Sequence, residues 1–467
     1  MGGPSSQPGI SPSYCAAAGE SQWARGAWRA DRDSYRAERD QLEPEGGFAL
    51  TAPMAPSPSP TQPLRVLLSE AGSTSAREAI TLLGLAGHHV EICDPSPRCL
   101  GRLSRFVRAF HRCPGLGVDP AGYLAFVEDL LERRHFDVLL PIHEQGLLFA
   151  KVQPRLAART GVALPAFESY RTALDKARFS ALLDQLELRQ PPTTIVTSIE
   201  DARTASLPCV VKAAIGTASR GVWIVRSAAE RDAALRELAD ITPPGGAILL
   251  QEFVEGPVEH AQAVFCRGEL LAIHGYRRIA EGAGGGPAQK LSVRRDGVRA
   301  DVAKLGRHLA WHGALSLDYI WSDDTPRYID CNPRLVEPMS AALAGTDLLG
   351  LLLLVSRGEK PPLPPASREG VRSHLAMQAL LGCALRQRSR RALLGEIVAM
   401  LGRRGPYVGS VEELTPLRAD WLGFIPLLAT ALILMARPGL AQRLTLKGWG
   451  DHLLDAAAVR AIDNDIR

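Results

Sequence analysis

Within thirty residues, from Leu64 to Cys93, the chain reads strand, polar glycine turn, helix, strand. Leu64-Arg65-Val66-Leu67-Leu68-Ser69 is a short buried strand, Gly72-Ser73-Thr74-Ser75 opens a helix that runs to Ala86, and Val90-Glu91-Ile92-Cys93 follows the Gly87-His88-His89 turn. Two strands joined through a helix are expected to lie parallel, since the connection is too long for a hairpin. A helix from Asp119 to Arg134 and a strand over 136–141 continue the alternation, so the reading is an N-terminal parallel α/β domain over 63–153. No Gly-x-Gly-x-x-Gly accompanies it, which argues against a dinucleotide site.

From Asp175-Lys176 the texture changes to a helix, a Pro191-Pro192 break, strands at Thr193 to Val196 and Cys209 to Lys212, and then strands alternating with glycine-rich turns. This predicts an α+β nucleotide-binding module over 154–360. Past Pro361-Pro362-Leu363-Pro364-Pro365 a helical C-terminal region is expected over 361–467. Residues 1–62 are rich in Pro, Ser and Gly and read as a disordered segment, within which Met54 is an alternative start. Gly2 and Ser6 mimic a myristoylation pattern that Pro4 disfavours. A net charge of +4, with its excess in arginine clusters, gives no stripe for nucleic acid. Eight scattered cysteines without a Cys-x-x-Cys pair, and no basic-then-apolar leader, fit a reducing cytoplasm. The apolar run 421–436 is too short and too broken by Pro426 for a typical membrane span. A buried or subunit-contacting helix is expected there, in a possible homodimer, with shallow membrane contact as the alternative.

Three motifs carry chemistry. The first runs from Pro208 to Val225: a strand, a polar loop between Gly216 and Gly221, and a second strand. The two glycines let backbone approach phosphates, Thr217 and Ser219 offer hydroxyls, and Lys212 reaches from the strand end. The second, Gln251-Glu252-Phe253-Val254-Glu255-Gly256-Pro257-Val258-Glu259, ends a strand in carboxylates that can read a purine and its ribose. In the third, Asp318 sits on one strand and Asp330-Cys331-Asn332-Pro333-Arg334 on the next, across an Asp323-Asp324 turn. Two carboxylates and an amide carbonyl suit magnesium, a hard cation that shares its shell with substrate phosphates, and an arginine beside them can neutralise a transferring phosphoryl group. Each motif alone also fits a plain hairpin or edge.

In this order the motifs resemble the ATP-grasp superfamily, and 63–153 resembles the domain that precedes the grasp. The resemblance implies that Lys176 and Lys212 contact ATP, with Glu252, Phe253, Val254 and Glu255 by adenine and ribose and Glu259 a further ribose candidate. It implies that Asp318, Asp330 and Asn332 hold Mg2+ or Mn2+. Arg334, aided by Arg277 or Arg278, would stabilise the phosphoryl group, and Gly282 to Gly286 with Lys290 would form a closing flap. Family members commonly have glutamate where Asp318 and Asp330 stand, and the stretch after Glu259 lacks the usual acidic or hydroxyl residue. The implied reaction is ADP-forming activation of a small carboxylate as an acyl phosphate, taken by an amine. Residues 64–340 look closer to carbamoyl-phosphate synthases and biotin carboxylases than to alanine-alanine ligases. It carries one such unit and no glutaminase segment, so a complete carbamoyl-phosphate synthase is excluded. His143-Glu144 and His312 are candidates to touch substrate or to be structural. An ATP-binding regulatory protein that ligates nothing is the competing reading.

Overall fold

The computed structural model describes residues 62–216, 221–414, 416–447 and 453–466. The chain divides into two units, 1–52 and 53–467; the first, and with it the expected disorder of 1–62 up to residue 61, lies outside the described residues.

A four-stranded parallel sheet opens the described chain, built from β1 (Arg65–Leu68), β2 (His89–Asp94), β3 (Val107–Arg112) and β4 (Val138–Leu140) in the order β3-β2-β1-β4. Its first helix, α1 (Thr74–Leu85), is capped by the Ser73 side chain, which accepts from the Ala76 amide. The next, α2 (Pro120–Arg133), starts at Asp119 with proline in its first turn. The strand β3 was not foreseen; its pattern is half-exposed and carries three basic side chains.

Two further sheets follow, antiparallel except for the β14–β15 pair at the edge of the larger one. The small sheet has the order β5-β8-β6-β7, from β5 (Thr193–Val196), β6 (Cys209–Ala213), β7 (Val222–Val225) and β8 (Ile248–Glu252). It encloses its own core of Val211, Leu235, Leu238 and Ile248 under the helix Ala228–Ile241. The large sheet contains β9 (Val258–Cys266), β10 (Glu269–Glu281), β11 (Pro287–Val293), β12 (Gly313–Ser322), β13 (Thr325–Asn332), β14 (Arg372–His374) and β15 (Val411–Glu412). Their order is β13-β12-β9-β10-β11-β14-β15. The chain passes from the small sheet to the large one through 253–257, where Gly256 lets the backbone run against Trp321: a Cβ there would stand 2.6 Å from the Trp321 carbonyl oxygen.

The C-terminal region is mainly helical, as expected, and adds two short strands to the large sheet. These strands, β14 and β15, have three and two residues. Strands this short carry no periodic signal. Around them pack α5 (Ala376–Gln387), α6 (Arg390–Leu401) and α7 (Phe424–Ala436), while α8 (Ala456–Asp465) returns to the N-terminal helices. Between these groups in the chain lie the helices α3 (Lys176–Gln185) and α4 (Asp296–His308). Among the described residues no helix is long and apolar enough to cross a membrane.

Candidate functional site

Side chains alternate across a strand, so pairing register decides which residues share a face. His260 on β9 lies opposite Tyr276 on β10 and Asp318 on β12, and Asp318 lies opposite Asp330 on β13. One step along, Glu259 lies opposite Arg277 and Tyr319. The large sheet therefore has one face bearing His260, Tyr276, Arg278, Asp318 and Asp330, and another bearing Glu259, Arg277 and Tyr319.

The first face meets the small lobe. Asp175 caps α3 by accepting from the Ala177 and Arg178 amides, which fixes Lys176 in the first turn. The Lys176 Nζ then reaches Asp330 Oδ1 at 3.0 Å and donates to the Gly216 carbonyl at 2.9 Å. From β6 the Lys212 Nζ donates to Gln251 Oε1 at 2.7 Å and to the Ile329 carbonyl at 2.8 Å, bridging the two sheets. Burial pushes the Lys212 ammonium down to about 8, against the attraction of Asp330. At the loop between β6 and β7, Gly221 has φ +74°, a conformation glycine tolerates. Thr217 and Ser219 lie outside the described residues.

Around Asp318 the contacts are charge-assisted. His260 Nδ1 stands 2.7 Å from Asp318 Oδ1, and the Asn332 amide donates to Asp318 Oδ2 at 3.4 Å. Burial favours the protonated acid, but His260, then Arg278 and Arg334, outweigh it and hold the carboxyl below its usual value. Arg334 donates to Asn332 Oδ1 at 2.6 Å and approaches His143 Nε2 at 3.4 Å. Two in-register carboxylates, one of them held ionised, beside an amide oxygen make a hard-oxygen donor set that fits Mg2+. Among the described residues no three His, Cys, Asp or Glu side chains converge into an all-protein metal cage.

Other expectations need correction. Glu259 and Arg277, expected at the nucleotide and in catalysis, lie on the far face. The Glu259 carboxylate accepts from Arg277 at 3.0 Å, Arg295 at 2.8 Å and Tyr319 at 3.1 Å, a closed ion cluster beside α4. Arg278 takes the place by Asp318 instead. The flap expected from Gly282 to Gly286 is a pinned turn: the Gly282 amide donates to the Gly286 carbonyl at 2.7 Å, and the Ala283 amide to Gln378 on α5 at 3.0 Å. Lys290 lies on the site face but is fully buried, 2.7 Å from Glu337 Oε2 and 2.6 Å from Glu413 Oε2. Of the flanking candidates, Glu252 and Glu255 are exposed at the mouth, and Arg226 lies over the Phe253 ring at 5.0 Å. Val254 is half-buried beside them. His143 borders the site, Glu144 accepts from the Leu454 amide before α8, and His312 accepts from the Arg267 amide in a distant turn.

Three acids that join Lys290 were missed: Glu78 on α1, Glu337 and Glu413. Burial drives the Glu78 carboxyl well above its usual value, and the nearby Glu413 reinforces this. Glu337 carried one signal, an acid three residues past Arg334 that interrupts an apolar stretch.

No known family profile matches the chain. It is similar to the carbamoyl phosphate synthase large chain of Deinococcus deserti, 28% identical over 180 residues, a match that covers 36% of this chain and 18% of that one. The chain thus matches less than a fifth of the length of that relative. In structure it is similar to the biotin carboxylase domain of the Hydrogenobacter thermophilus 2-oxoglutarate carboxylase, a dimer solved with MgADP, ADP and bicarbonate. That likeness has a TM-score of 0.52 at 16% identity and covers 67% of this chain and 74% of the other. An L-amino acid ligase from Bacillus licheniformis aligns with a TM-score of 0.50 at 17% identity, over 64% of this chain and 75% of its own.

Proposed function

On the premise that its fold is that of the ATP-grasp superfamily, we propose that this chain is an ADP-forming ligase that activates a small carboxylate for attack by an amine. The observation that carries the reading is the meeting of Lys176, Lys212, Asp318, Asp330, Asn332 and Arg334 on one sheet face under the small lobe.

Lys176 and Lys212 bind and orient the ATP phosphates from the small-lobe side. The exposed Glu252 and Glu255, with the backbone of Phe253 and Val254, border the purine and ribose at the lobe junction. Asp318, Asp330 and Asn332 would hold Mg2+, which when bound neutralises phosphate charge. Arg334 and Arg278 lie where they balance charge on the phosphoryl group in flight. The substrate carboxylate oxygen forms a bond to the γ-phosphorus as the bond to the ADP oxygen breaks. An amine nitrogen then bonds to the acyl carbon, phosphate leaves with the former carboxylate oxygen, and the amine proton passes to solvent. Positioning supplies most of this chemistry, so no protein nucleophile is needed. The screen is ADP release from ATP and Mg2+ with a panel of carboxylic and amino acids. Acid-dependent ADP formation supports the reading; nucleotide binding without it on any acid favours a regulatory ATP-binding protein.

The Lys212 environment adds a pH dependence. A buried lysine titrating at about 8 is largely charged at pH 7 and largely neutral at pH 9. ATP affinity, measured by calorimetry, should be level below pH 7 and fall through pH 8, approaching roughly tenfold per unit above it. Folding has the opposite sign: the cost of burying the ammonium is full below pH 8 and fades as pH rises towards the unfolded value near 10.5. A level ATP affinity from pH 7 to 9 would remove Lys212 from the phosphate site.

A further inference from the structure

Ten of the sixteen large apolar side chains left exposed among the described residues fall between Leu394 and Ile433. On α6 they are Leu394, Val398 and Leu401, spaced along one helix side, with Leu401 82% exposed. On α7, which packs against α6, they include Ile425, Leu428 and Leu432, and Trp421 stands just before the helix at 62% exposure. The opposite sides of these helices supply Leu393, Leu427 and Leu434 to the core against α5. The helix expected to be buried or subunit-contacting is thus apolar on both sides and covered on one.

Along the stretch of chain that builds this face, the exposed charge has a single sign. From Ala376 to Lys447 the sequence has ten Lys and Arg against four acids. Nine of those arginines are exposed, and no acid among the described residues of this stretch is. Glu413 and Asp420 are buried in ion pairs with Lys290 and Arg77, Glu396 accepts from the Tyr407 hydroxyl, and Glu412 accepts from the Ala376 amide.

We propose that the α6–α7 face docks this protein on an anionic lipid bilayer. Exposed leucines with a tryptophan at their edge and an arginine rim have the chemistry of a helix pair lying in the interface, the apolar stripes sunk to the acyl boundary and the guanidinium groups among phosphates. A second copy fits poorly, because a two-fold contact brings each arginine rim against itself. Spanning is excluded for α7: its 13 residues reach about 20 Å, short of the roughly 30 Å hydrocarbon core.

The test is sedimentation of the full chain with phosphatidylcholine vesicles, with and without phosphatidylglycerol as the anionic component, beside size-exclusion light scattering. The expected result is binding to the phosphatidylglycerol vesicles only, weakening as salt rises. Leu428→Gln with Leu432→Gln should abolish binding, and Arg391→Gln with Arg404→Gln should weaken it roughly tenfold or more. All four residues are exposed, so circular dichroism of both variants should match the parent. The proposal is overturned if the parent fails to sediment with anionic vesicles, or if it is a dimer that the leucine pair dissociates without any vesicle binding. Equal binding to neutral vesicles, indifferent to the arginine pair, would overturn it as well.

Discussion

Replacing Asp330 by alanine is expected to lower ADP-forming turnover by at least roughly a hundredfold while leaving the fold intact. Asp330 faces Asp318 across β12 and β13 and is the partner of Lys176, so the change removes one of two in-register carboxylates and the group that orients a phosphate-binding ammonium. Its side chain is 29% exposed, and Lys176 keeps the Gly216 carbonyl as an acceptor. The Lys176 ammonium is itself buried, so the loss in stability should be roughly 1–3 kcal/mol, below that expected at the fully buried Lys290 cluster. Steady-state ADP release and a urea melt on one preparation separate the two effects. Turnover within a few fold of the parent would remove Asp330 from the proposed metal and phosphate site.

The largest effect on stability should come from Lys290→Met. Lys290 lies between Glu337 and Glu413, with its ammonium 4.9 Å from the centre of the Tyr276 ring, and all three regions of the described chain meet there. Glu78 comes from α1, Lys290 and Glu337 from the central region, and Glu413 follows β15. Burial works against the ammonium, but the two carboxylates outweigh it and raise its proton affinity well above the usual lysine range. Removing the cation leaves buried carboxylates facing one another, at a cost of roughly 3–5 kcal/mol. Glu413→Gln added to Lys290→Met should recover part of that loss, because it removes one unpaired charge. Urea denaturation of the parent, the single and the double variant reads this directly. A single variant as stable as the parent would contradict the buried ion cluster.

The contrast between these two lysine-carboxylate contacts shows what sequence can and cannot reveal. Asp318, Asp330, Asn332 and Arg334 were legible because a single hairpin carries them, and a two-strand register keeps their spacing meaningful. Lys212 was legible through its glycine-bounded loop, whereas Lys176 was expected from the family resemblance alone. Glu259 and Arg277 were misread because facing is settled by pairing between distant strands: a shift of one residue sends a side chain to the other face. The Lys290 cluster was invisible for a different reason. Its members at 78, 290, 337 and 413 meet only after the N-terminal helix and the C-terminal strand have closed on the large sheet. Local periodicity recovered α1, α2 and the strands β1, β2 and β4, whereas β14 and β15 are too short for any pattern to register.

The central claim is that a substrate carboxylate attacks the γ-phosphate. It is tested most directly with the acid that best stimulates ADP release, prepared with 18O in its carboxylate and turned over with ATP, Mg2+ and an amine. Acyl phosphate formation predicts one 18O atom in each phosphate released in step with ADP, and at least roughly a hundredfold less labelled phosphate when Asp330→Ala replaces the parent at matched time. Unlabelled phosphate at the full rate of ADP formation would mean that water, and not the carboxylate, takes the phosphoryl group, and would contradict the account.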